Sequence, residues 1–142
     1  MKKQAVAVIA IAILTGVAAS PTPPGGIKLL PGYRHTTQVG IDSSVGKISR
    51  VGGLTIGYDI APGDKRHRRP VDVARLATTL SWYREQQVAG RTLVCGLNRD
   101  GKTYVVAIPG AGFYAEVRNP EDMADLLLTA LTFEDLQHPG RP

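Results

Sequence analysis

Residues 92–117 read TLVCGLNRDGKTYVVAIPGAGFYAEV, and the pairing within this stretch decides the fold. Apolar side chains recur at every second position on both sides of Asp100-Gly101, which is the period of a half-buried β-strand. If Asp100-Gly101 is the central pair of a type I′ hairpin turn, Leu97 faces Tyr104, Cys95 faces Val106 and Leu93 faces Ile108. A four-residue loop over 109–112 then sets Ile108 beside Phe113, Val106 beside Ala115 and Tyr104 beside Val117. All nine side chains fall on one face, and a one-residue slip would scatter them. Gaps this short favour an antiparallel meander over a parallel sheet, which needs long crossovers.

Working outward, Trp82–Val88 reads as a preceding strand, separated from the next by Ala89-Gly90-Arg91. By parity Trp82 and Val88 point inward together with Arg84 and Gln86. Two such polar residues on the inner face suit an edge strand. The opposite face then carries Tyr83, Glu85, Val94, Val105, Ala107, Tyr114 and Glu116. An antiparallel sheet commonly leaves one face solvated. Tyrosine joins apolar bulk to a polar tip, so Tyr83 and Tyr114 mark this face, with Glu85, Val94, Val105 and Glu116, as a candidate partner-binding surface.

After the last strand, Asn119-Pro120-Glu121-Asp122 combines an N-cap residue, a proline at the first helical position and two acids where the helix dipole favours negative charge. Met123, Leu126, Leu127, Ala130 and Leu131 follow at helical spacing, which predicts a helix over 120–132 lying on the apolar face of the sheet. Upstream, GKISRVGGLTIGYDI (46–60) alternates through Leu54, Ile56, Tyr58 and Ile60, with Gly52-Gly53 as a hairpin turn. Residues 70–81 place Val73, Leu76, Ala77 and Leu80 at helical spacing and predict a short helix. The fold class is therefore α+β: an antiparallel meander sheet of about six strands with a C-terminal helix packed on one face.

The first 19 residues combine Lys2 and Lys3, an apolar run from Ala5 to Leu14 and small residues before Ser20, the pattern of a bacterial secretory signal cleaved after Ala19. The run is too short for a permanent span, which needs about 20 apolar residues. The expected organisation is a signal over 1–19, a flexible or extended segment over 20–45 containing the spacer-like PTPPGGIKLLPG, one domain over 46–135 and a disordered tail over 136–142. The expected location is periplasmic or secreted. The single cysteine, Cys95, cannot form an internal disulfide and sits among apolar residues as a core thiol.

Charge is unevenly placed. Lys2 and Lys3 are two of the 17 basic residues; without them, 15 face 12 acids, a net +3. Lys65, Arg66, Arg68 and Arg69, with His67 among them, lie in the run GDKRHRRP, and removing those four charges leaves 11 basic residues against 12 acids, a net −1. The excess positive charge is thus local. Lys65, Arg66, His67, Arg68 and Arg69 form a candidate anion-binding segment for an anionic envelope component. No recognition helix, zinc module or RNA-binding signature accompanies it, so sequence-specific nucleic-acid recognition lacks its usual parts.

The remaining motifs carry little chemistry. Gly40 and Gly46 are separated by five residues where a P-loop needs four, and Ile48 stands where that loop requires Ser or Thr. His35, His67 and His138 lack metal-ligand spacing, so neither a metal site nor a cofactor is expected. Ser43, His35 and Asp59 supply the residue types of a hydrolytic triad without a nucleophile-elbow motif. The expectation is an exported, non-enzymatic accessory or binding protein with a protein or anionic envelope component as partner, acting through a sheet face or the basic run. The alternative is a small exported hydrolase or transferase, with catalytic residues unassigned.

Overall fold

In the computed structural model, residues 22–61 and 71–134 are described. The signal-like segment 1–19, the basic run 65–69 and the tail 136–142 lie outside them. Seven strands form one antiparallel sheet: β1 (Tyr33–Gln38), β2 (Ser44–Arg50), β3 (Thr55–Ile60), β4 (Leu80–Val88), β5 (Arg91–Asn98), β6 (Thr103–Ile108) and β7 (Ala111–Glu116). Helix α1 (Val73–Thr79) leads directly into β4, and α2 (Pro120–Leu131) follows β7. The strand order is β1-β2-β3-β7-β6-β5-β4. Two meanders therefore meet at β3 and β7, and the second runs back so that β4, first in sequence, becomes the far edge.

The expected register of β5 against β6 is present, with Cys95 opposite Val106 and Leu97 opposite Tyr104. The turn that fixes it differs from the expected one. Gly101 has φ +72 while Asp100 does not enter the left-handed region, and the Gly101 N–H donates to Asn98 O at 3.0 Å. The Asp100 carboxylate accepts from the Lys102 and Thr103 amides and from the Thr103 hydroxyl. Both turns are centred between residues 100 and 101, so the pairing is the same.

The β6–β7 register is corrected by two residues. Ile108 pairs with Ala111, Val106 with Phe113 and Tyr104 with Ala115, because Pro109-Gly110 alone makes the turn, with Gly110 at φ +88. A shift of two preserves the face of every side chain. Leu93, Val106, Ile108, Phe113 and Ala115 accordingly lie in the main core, with Cys95, Tyr104 and Val117 packed against it.

Helix α2 covers the inner face, capped as expected by the Asn119 side chain, which accepts from the Asp122 amide. Its buried face is rotated from the predicted stripe: Asp122, Leu126, Thr129 and Ala130 are buried, while Leu131 is exposed. The cause lies on the neighbouring strands. The Tyr33 hydroxyl donates to Asp125 Oδ2 at 2.5 Å, and Arg50 lies 3.8 Å from the same carboxylate. Together they draw the Asp125 side of the helix toward β1 and β2. Burial, with the Asp125 contact next, raises the Tyr33 phenol above its ordinary range.

Residues 22–38 are more structured than a spacer. Ile27 is buried, and the Phe133 ring lies directly over Gly25. The Glu134 amide donates to Gly25 O at 2.8 Å, and the Lys28 amide donates to the Thr132 hydroxyl at 2.9 Å. This segment closes the C-terminal end of α2, and the chain then enters β1, a seventh strand beyond the expected six.

Candidate functional site

The expected partner-binding residues are distributed over the outer face by three cross-strand rows. Opposite pairs Tyr83–Gly96, Gly96–Val105, Val105–Tyr114 and Tyr114–Gly57 form one continuous row from β4 to β3. Glu85, Val94 and Ala107 occupy the next row, and Glu116 pairs with Thr103 in the row on the other side.

Glycine shapes the central row. A Cβ added at Gly57 would fall 2.2 to 2.7 Å from the Cε2, Cζ and Oη atoms of Tyr114, so the ring lies across the neighbouring strand rather than standing off it. Gly96 stands opposite Tyr83, but the Trp82 carbonyl oxygen and a Leu80 methyl close over it, with only the Cβ of Tyr83 beside them. Aromatic cover of a strand glycine restores the packing that the missing side chain forfeits. On the inner face, Tyr58 covers Gly46 by the same device.

The two outer tyrosines nevertheless remain accessible, Tyr83 at 37% and Tyr114 at 42% of their full surface. They are three strand spacings apart, roughly 14 Å. Val105 is half-buried between them, and Glu85 and Glu116 are exposed on either side of the row. Val94 differs: its register puts it on this face, yet it is 1% exposed and offers no contact area.

Sequence parity also places Trp82 inward, and the structure shows why this does not bury it. The inner face is closed by α2 over β6 and β7 but is open at β4. Trp82 is 41% exposed, edge-on to Tyr104 with ring centroids 6.0 Å apart, and the Arg84 guanidinium lies 5.9 Å from its ring centroid. Arg84 also donates to Tyr83 O at 3.0 Å. Cys95, on this face, is half-buried, and its thiol pKa is raised by desolvation, which suppresses the thiolate.

A cavity of about 460 Å³ lies at the other end of the sheet, lined by His35, Thr37, Ser43, Tyr58 and the β1–β2 loop among others. Here His35 Nε2 and Tyr58 Oη form a buried hydrogen bond of 2.6 Å. Burial raises the Tyr58 pKa. Asp59 does not join His35 and Ser43: it alternates with Tyr58 along β3 and is exposed on the opposite face. The three residue types of a triad are thus divided between two faces of the sheet. Alternation along β3 is the signal that separates them.

Among the described residues, no three His, Cys, Asp or Glu side chains come together as a metal-ligating group. No helix among them is long and apolar enough to cross a membrane. No family model, curated protein or solved structure matches the chain.

Proposed function

We propose that the chain is an exported, non-enzymatic binding protein whose recognition surface is the Tyr83–Val105–Tyr114 row of the outer sheet face. The observation that carries this reading is the half-exposed Tyr114 ring laid across Gly57, in one row with the half-exposed Tyr83. A ring so placed is held by the sheet before a partner arrives, so little side-chain entropy is lost on contact. Glu85 and Glu116 flank the row, and the exposed Lys47, opposite Gly57, continues it beyond the Tyr114 ring. Both signs of charge therefore border the tyrosines, and a protein surface of mixed charge is the fitting partner. An anionic envelope component belongs instead to the basic run, Lys65 to Arg69, which is a separate element of the same proposal.

The experiment is capture from the producing cell's envelope fraction by immobilised protein. A partner bound by the row is expected to be lost with Tyr83→Ser/Tyr114→Ser and retained when Lys65, Arg66, Arg68 and Arg69 are changed to serine. The reverse pattern would overturn the row as the recognition surface and favour the basic run.

A further inference from the structure

The edge strand β4 suggests how this protein assembles. It is nine residues long, and seven consecutive residues, Ser81–Gln87, are exposed. Among the described residues it pairs with β5 on one side and with no strand on the other. It has neither proline nor lysine, and its pairing with β5 is irregular only between Leu80 and Trp82. Such an edge offers backbone donors and acceptors to another strand.

We propose that two copies of the chain pair antiparallel through β4, about a two-fold axis normal to the sheet at Tyr83. The axis follows from symmetry, charge and register. A two-fold that joins two antiparallel edges into one sheet keeps both inner faces on the same side. Residues opposite one another must therefore share parity, and the axis must pass through a residue rather than between two.

An axis at Arg84 sets two arginines directly opposite, and one at Glu85 sets two glutamates opposite; like charges in that position are destabilising. An axis at Gln86 leaves Trp82 and Tyr83 outside the ladder. At Trp82, half of the ladder falls on the irregular Leu80–Ser81 step. At Tyr83, Arg84 of each copy faces Trp82 of the other, and Glu85 faces Ser81. Arg84 already lies against its own Trp82 ring and donates to Tyr83 O, so pairing carries a guanidinium from one indole to an equivalent one and frees that carbonyl for the ladder.

The same axis aligns the outer faces. Each row Tyr83–Gly96–Val105–Tyr114 meets its copy end to end at Tyr83, making one aromatic strip across eight strands. The dimer does not depend on that strip binding a partner, and each idea can fail without the other.

Mild oxidation of single-cysteine variants in a Cys95→Ala background tests the axis. Opposite residues in an antiparallel pair have Cβ atoms about 4.5–5.5 Å apart, close to disulfide geometry. Tyr83→Cys is expected to cross-link to a covalent dimer, and Arg84→Cys and Glu85→Cys several-fold less. Preferential cross-linking at 84 or 85 would overturn the axis. In sedimentation, the unsubstituted protein is expected to dimerise, with Arg84→Glu raising the dissociation constant about tenfold or more. A monomer at every concentration would overturn the dimer itself. A dimer that cross-links at Tyr83 but captures no envelope protein would leave this inference standing and remove the proposed recognition function.

Discussion

Strands β3 and β4 both carry aromatic residues, yet β3 is buried at four of its six positions while β4 is exposed at seven of nine. Position in the sheet explains the difference. β3 lies between β2 and β7, with the α2 side chains Leu126 and Ala130, and Phe133 just beyond the helix, in the same core. β4 has one neighbour. A 12-residue helix such as α2 is about 18 Å long, while seven strands extend roughly 29 Å from edge to edge. One helix cannot close the whole inner face. Helix α2 covers the middle, the N-terminal segment seals the end of α2, and β4 is left open.

Deletion of one aromatic from each region gives the largest expected contrast. Phe113, fully buried on β7 between β3 and β6 and edge-on to Phe133, should cost about 3–5 kcal/mol when changed to alanine. Trp82→Ala, at the β4 edge, removes a larger side chain but should cost under about 1 kcal/mol in the monomer. Denaturant unfolding at low protein concentration measures both. Equal losses would show that the edge is part of the cooperative core and would erase the contrast.

Alkaline titration sharpens the comparison at the end of the sheet opposite β4. Here β1 is tied to α2 through Tyr33, Asp125 and Arg50. Because burial and Asp125 raise the folded phenol's pKa, the unfolded chain loses this proton first, at pH about 10. Above that pH the unfolded state binds fewer protons than the folded state, so stability falls as pH rises. Tyr33→Phe is expected to lower stability at neutral pH by about 1 kcal/mol, through the lost hydrogen bond. It should also make the alkaline decline shallower. An unchanged alkaline slope would contradict the assignment of that decline to Tyr33, leaving Tyr58, also raised by burial, to carry it.

These contacts also show why the sequence was legible in one half and less so in the other. From β5 to β7, alternation and turn residues lie close together in the chain, and even the misplaced 109–112 loop erred by two residues, which leaves faces unchanged. The edge character of β4 was visible in Arg84 and Gln86. β1 was hidden because YRHTTQ is largely polar, and its inward His35 is satisfied by Tyr58 on β3, 23 residues away. Residues 22–28, TPPGGIK, have the composition of a linker; what orders them is Phe133 over Gly25 and Thr132 at the Lys28 amide, more than 100 residues downstream. For the candidate site, parity identified the tyrosine row. The exposure of Trp82 depended on how far α2 reaches across the inner face, which no local pattern encodes.

The smallest predicted effect lies in the turn that begins the β4–β5 edge hairpin. Val88 pairs with Arg91, so Ala89-Gly90 is a two-residue turn, and both residues have positive φ, +49 and +75. That is the type I′ requirement, which glycine meets freely, asparagine tolerates and alanine resists by roughly 1–2 kcal/mol. Ala89→Gly relieves the strain but adds freedom to the unfolded chain, which offsets about 0.5–1 kcal/mol of the gain. Ala89→Asn avoids most of that offset and creates the favoured Asn-Gly pair. The expected order of stability is therefore Asn above Gly above Ala, with Asn about 1 kcal/mol above the natural residue. The gain comes from backbone geometry alone, since no packing against α2 is changed. If neither substitution stabilises the protein in denaturant unfolding, the hairpin must already relax Ala89 out of the left-handed region. The β4 edge would then be less preorganised for pairing than its geometry indicates.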